Sequence, residues 1–179
     1  DFIGRLKQRM QMLRIGEPLD KTIDMGAIVD PIQLQRIEHY VATGKAEGGV
    51  CWQSDVSIPE GGCFYPPTLF TGISPAHTLA REEVFGPVLV AMNFRTHQEA
   101  VSLANNSRYG LAASVWSENI NLALDVSSQL KAGVVWVNCS NQFDAASGFG
   151  GYRESGFGRE GGMEGLWAYR HAAANLPPD

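Results

Sequence analysis

The sequence predicts an α/β fold with a parallel sheet flanked by helices, and three observations carry that expectation. Residues 88–92, 111–116 and 134–138 are apolar runs of strand length, rich in Val and Ala, as strands buried on both faces are. Amphipathic stretches of helical length separate them, one opening at Thr96-His97-Gln98-Glu99 and the other covering residues 121–130. The resulting order of strand, helix, strand, helix, strand is that of parallel βαβ units, whose right-handed crossovers place the strand ends, Asn138 among them, along one edge.

The whole composition is consistent with one soluble domain. At 179 residues the chain is long enough to bury a sizeable core. A net charge of -5, with no basic run, argues against nucleic acid or an anionic membrane as partner. The hydrophobic fraction of 44% is dispersed, with no bilayer-length run and no secretory pattern at the start, so a cytoplasmic protein is expected. Cys51, Cys63 and Cys139 are odd in number and lack metal-site spacing, which points to neither a disulfide framework nor a zinc site. Each is a nucleophile in principle and, by residue type, a small buried or half-exposed thiol.

In chain order, Phe2, Ile3, Leu6, Met10 and Leu13 repeat at helical spacing, and that helix ends before Gly16 and Pro18. With no cap before Phe2, these residues read as the middle of something larger. Asp30-Pro31 supplies an N-cap and a proline at the first helical position, and Leu34, Ile37, Tyr40 and Val41 trace the buried stripe of a helix closing at Gly44 or at Gly48-Gly49. Gln33 and Arg36 share another face of it, by default a solvated one. Residues 50–52 suit a short strand, residues 54–62 a polar connector, and residues 63–70 an extended segment, because Pro66-Pro67 forbids a helix.

Glu82-Glu83-Val84-Phe85-Gly86-Pro87 then sets two acids and a ring directly before the first apolar run. A polar residue off the end of a strand in an open α/β sheet is where ligands sit. A carboxylate there can accept hydrogen bonds from the two vicinal hydroxyls of a ribose, and a ring two residues on can cover a flat heterocycle. The other reading is a solvated Glu-Glu pair beside a core Phe. After the third apolar run, residues 147–162 are glycine-rich. Gly156-x-Gly158-x-x-Gly161 matches a dinucleotide fingerprint but follows a loop instead of a strand, so close backbone packing and φ > 0 turns explain it better, with Phe149 and Phe157 as anchors. Met163, Leu166, Trp167 and Tyr169 suggest a last short helix, and residues 172–178 a frayed end.

Glu83-x-Phe85-Gly86-Pro87, Leu103-Ala104-Asn105, Tyr109-Gly110-Leu111-Ala112-Ala113-Ser114-Val115-Trp116, Gly133-Val134-Val135-Trp136-Val137-Asn138 and Phe149-Gly150-Gly151-Tyr152-Arg153-Glu154-Ser155-Gly156 come in the order seen in NAD(P)-dependent aldehyde dehydrogenases. The resemblance covers nearly the whole chain, with Pro18-Leu19-Asp20 and Asp24-Met25-Gly26 also fitting. It implies the Rossmann-like parallel sheet of that catalytic domain, with residues 1–179 as its C-terminal part, a fragment whose cofactor domain and catalytic cysteine lie upstream. It further implies an enzyme oxidising an aldehyde to a carboxylic acid with NAD or NADP, homodimeric at full length, while this chain alone has no turnover.

By motif, Glu83 resembles the carboxylate that holds the nicotinamide-side ribose and Phe85 the ring beside it. Gln33 and Arg36 fall where relatives place helix residues near the adenosine ribose, a position usually Lys. Phe149 and Phe143 match aromatic positions of the aldehyde tunnel, which Cys139 would approach. No cysteine here matches the catalytic motif. Gly148 stands where most relatives have Pro, which is expected to loosen the loop aiming Phe149. That glycine, Phe64-Tyr65-Pro66-Pro67-Thr68 and an end without a β-branched strand look most similar to the branch carrying two aldehyde-dehydrogenase modules in tandem. A noncatalytic module of the same fold, serving as scaffold or interaction surface, remains the alternative function.

Overall fold

Asp30 starts the helix on which the first half of the chain packs: its carboxylate accepts from Gln33 N–H at 2.7 Å, and Pro31 follows at the first helical position, where no N–H is needed. The computed structural model describes residues 1–170, and the expected frayed end lies outside them. The chain divides into two units, Asp1–Asn93 and Phe94–Asp179.

The first unit contains α1 (Phe2–Gln11), α2 (Pro31–Ala46), β1 (Val50–Gln53), β2 (Thr68–Thr71), α3 (Thr78–Arg81) and β3 (Val88–Val90). Its sheet has the order β1-β2-β3, with β1 antiparallel and β3 parallel to β2. The central strand is the buried one, Thr68, Leu69 and Phe70 all being 0% exposed. Ile37 and Val41 of α2 meet Tyr65, Phe70, Ile73, Leu79 and Val84 in one cluster, with Leu34 and Tyr40 packed against it, so the predicted stripe faces the core. Of the stripe expected in α1, Met10 is buried and Phe2 is exposed.

One expectation is corrected here. Residues 88–92 do not form a strand buried on both faces. The strand stops at Val90 and exposes Leu89 to 45%, because it lies on the sheet edge with one paired neighbour. The short strand expected at residues 50–52 is β1, where Cys51 sits opposite Phe70.

The second unit contains α4 (His97–Asn105), β4 (Ala112–Val115), α5 (Ile120–Gln129), β5 (Val134–Val137) and α6 (Gly162–Trp167). Thr96 caps α4, its hydroxyl accepting from Glu99 N–H at 3.1 Å while the Glu99 carboxylate reaches back to Arg95 N–H at 2.7 Å. β4 and β5 pair in parallel across α5, the expected βαβ unit. Among the described residues, β3 pairs with β2 within the first unit. Neither β4 nor β5 contains a fully buried residue, for each has a single strand neighbour.

The glycine-rich segment is built for close approach. A Cβ on Gly133 would collide with the Gly150 carbonyl oxygen, and one on Gly150 with that of Gly158. Gly156 and Gly161 take φ of 90° and 71°, as expected of turns. Phe157, expected to anchor the segment, is 76% exposed instead.

Candidate functional site

Two groups of predicted residues gather, one in each unit. In the first, the segment between α3 and β3 is pinned at both ends: Glu82 N–H donates to the Thr78 carbonyl at 3.0 Å, and Thr68 N–H to that of Pro87 at 2.9 Å. Between these points Val84 turns into the core while Glu83 is exposed. Phe85 has φ of 56° and its ring is 72% exposed. A non-glycine residue in the left-handed region costs roughly 1–2 kcal/mol, so the surroundings must impose it.

The surroundings are α2. The side-chain amide of Gln33 donates to two carbonyls of the turn, with Nε2 3.0 Å from the Val84 oxygen and 3.1 Å from that of Phe85. Gly86 lies so close to Ile37 that a Cβ would stand 2.7 Å from Cγ1 and closer still to Cδ1. Leu79, Glu82, Glu83, Val84, Phe85 and Gly86 border a cleft of about 360 Å³ beside β3. An exposed carboxylate and an exposed ring at one cleft suit a polyhydroxylated ligand bearing a flat heterocycle. Arg36 is exposed one turn beyond Gln33. The bridging role of Gln33 was not legible from its spacing on the helix, which marked it only as a face-mate of Arg36.

In the second unit, Phe143 and Phe149 meet edge to face with centroids 5.0 Å apart, and Phe143 meets Trp136 of β5 the same way at 5.7 Å. Trp136 was not anticipated as part of this group. The clue was an indole on a buried-looking strand, whose N–H needs an acceptor. It donates to the Gln142 carbonyl at 2.9 Å and so folds residues 138–142 back over the strand end. Asn138 and Asn141 take φ of 53° and 54° in that turn, and the Asn138 amide clasps Ser117, accepting from its N–H at 2.9 Å and donating to its carbonyl at 3.0 Å. Cys139 is half-buried in the same turn.

The loop carrying Phe149 is not loose. Phe149 and Glu160 exchange two backbone hydrogen bonds of 2.7 and 2.8 Å. Glycine at 148 leaves room for the Glu164 carboxylate, which a Cβ would strike. Of the remaining cysteines, Cys63 is half-buried, and burial pushes the Cys51 thiol above its ordinary pKa, which disfavours the nucleophilic thiolate. Among the described residues no helix is long and apolar enough to cross a membrane.

The chain is similar to known proteins along nearly its whole length. The family described as "Aldehyde dehydrogenase family" matches residues 1–174. Human mitochondrial aldehyde dehydrogenase is 42% identical over 94% of the chain and 33% of its own length. Betaine aldehyde dehydrogenase of Cereibacter sphaeroides is 41% identical over 94% of the chain and 35% of its own. Among solved structures, betaine aldehyde dehydrogenase of Staphylococcus aureus in complex with NAD+ superposes with a TM-score of 0.87 at 37% identity, covering 94% of this chain and 34% of that one. An NAD+ complex of a Bacillus cereus aldehyde dehydrogenase reaches 0.85 at 39% identity over 92% of this chain and 33% of that one. The chain spans about a third of the length of the curated relatives it matches.

Proposed function

Since the chain belongs to the aldehyde dehydrogenase family, we propose that it is the C-terminal part of that family's catalytic domain, serving an enzyme that oxidises an aldehyde to a carboxylic acid with NAD or NADP. Its contribution is the clamp on the nicotinamide-side ribose and part of the aldehyde tunnel. The observation that carries this reading is the presentation of Glu83 and Phe85, both exposed on a turn pinned at its two ends beside a cleft.

The Glu83 carboxylate accepts from the two ribose hydroxyls, and the Phe85 ring covers the sugar or the heterocycle beside it. NAD(P), when bound, supplies the hydride acceptor. Arg36 is offered to the adenosine ribose from α2, while the Gln33 amide is engaged by the Val84 and Phe85 carbonyls. Phe143 and Phe149, steadied by Trp136, line the aldehyde tunnel with Cys139 nearby. The nucleophilic thiolate, the base that activates water and the donors to the oxyanion come from other segments of the enzyme. A cytoplasmic homodimer goes with this reading, on the strength of the composition and the resemblance.

The test is Glu83→Gln in the full-length protein, with kcat/KM for NAD followed by aldehyde-dependent NADH formation. The amide keeps one acceptor and loses the charge, and a hydrogen bond to a charged group contributes about 1.5–3 kcal/mol, so a fall of roughly 10- to 100-fold is expected. Unchanged kinetics would remove the clamp. No aldehyde-dependent NADH formation by the unaltered full-length protein would leave the noncatalytic module as the function.

A further inference from the structure

The Phe85 ring is 72% exposed, so its own packing does not hold its backbone in the left-handed region. The restraint comes from across the fold, 51 and 52 residues away in sequence, where the Gln33 amide spans the consecutive carbonyls of Val84 and Phe85 at 3.0 and 3.1 Å. Gln33 is itself fixed, its N–H bound to the Asp30 carboxylate in the first turn of α2, and Ile37 one turn on abuts Gly86.

We propose that Gln33 is a positioning residue for the cofactor contact: its amide braces the left-handed turn that presents Glu83 and Phe85. The proposal rests on the reading of Glu83 and Phe85 as cofactor contacts. A brace of this kind needs two donors at fixed separation from one planar group, which an amide has and a carboxylate or thioether lacks. It sets the angle between the carboxylate and the ring before any ligand arrives, so binding does not have to order the turn.

The test uses Gln33→Met, of similar length but without donors, in the full-length protein. Hydrogen exchange without cofactor reads the brace directly. Exchange is expected to quicken at the Val88 N–H, which is bound to the Gly86 carbonyl at 2.7 Å, while the amides of residues 37–46 keep their protection. Equilibrium binding then reads its consequence. NAD affinity should fall about tenfold, as two modest neutral hydrogen bonds allow, with the KM for aldehyde unchanged. In the Glu83→Gln background the same substitution should cost no more than about twofold, because the contact being positioned is already impaired.

Unchanged exchange at Val88 would overturn the brace. Faster exchange with unchanged NAD affinity would make it purely structural, and full multiplicative losses would make Gln33 an independent contact, either of which overturns the positioning role. If Glu83→Gln by itself leaves NAD affinity unchanged, the ribose clamp fails, and the exchange result still decides the brace.

Discussion

Replacing Gly86 with Ala tests whether the close approach of the turn bearing Glu83 and Phe85 to α2 matters. The added Cβ would stand 2.7 Å from Ile37 Cγ1, with Cδ1 closer still. Ordinary carbon–carbon contact begins near 3.5–4.0 Å, so the two must separate by about 1 Å. Ile37 is 0% exposed and cannot swing into solvent, so the turn is what moves. Hydrogen bonds from Gln33 that now measure 3.0 and 3.1 Å would open to about 4 Å, beyond useful range. Overpacking and the loss of two neutral hydrogen bonds together destabilise the region by roughly 2–4 kcal/mol. Displacement by 1 Å of a group that orients a reactant lowers turnover by about 100-fold. The assay is kcat/KM for NAD in the full-length protein, beside the thermal midpoint. Ile37→Val removes the nearest atom and should recover part of the loss in the double variant. Activity and midpoint of Gly86→Ala both within about twofold and a degree of the unaltered protein would refute the reasoning.

Phe149→Ala opens the edge-to-face pair with Phe143. It should change the ratio of kcat/KM between a bulky and a short aldehyde by about tenfold with little effect on NAD affinity, and the opposite pattern would misplace the tunnel. Asp24 predicts an acid dependence. Hydrogen bonds from the Arg14 side chain and backbone N–H lower its carboxyl to about 2. Because the folded value lies below the unfolded one of about 3.9, the stabilisation is complete above that value and is lost as pH falls towards 2. The gap in urea midpoint between the unaltered protein and Asp24→Asn should be constant at neutral pH and close in that acid window, and a gap persisting at its lower end would contradict the pairing.

Local chemistry was legible wherever a residue acts on its near neighbours. Asp30-Pro31 and Thr96-x-x-Glu99 located two helix starts because a cap needs only the next three residues. The apolar stripe of α2 was readable from its period, and the Glu83-x-Phe85 turn stood out because an acid and a ring precede a strand. The short helix α3 carried no such pattern. Its first amide and the Thr78 hydroxyl are capped by Glu47 from 31 residues away, at 2.8 and 2.6 Å.

What the residues determined unaided is the longer helices, the strand segments and the family. Tertiary structure decided their geometry. Which strand pairs with which is a matter of contacts distant in sequence, so β3 joined β2 and became a half-exposed edge although its apolar run suggested full burial. The left-handed backbone of Phe85 is invisible in its own sequence because Phe has no preference for it. What accompanies it lies far off in the chain: a glutamine 52 residues earlier donates to its carbonyl, and the next residue, Gly86, packs against Ile37.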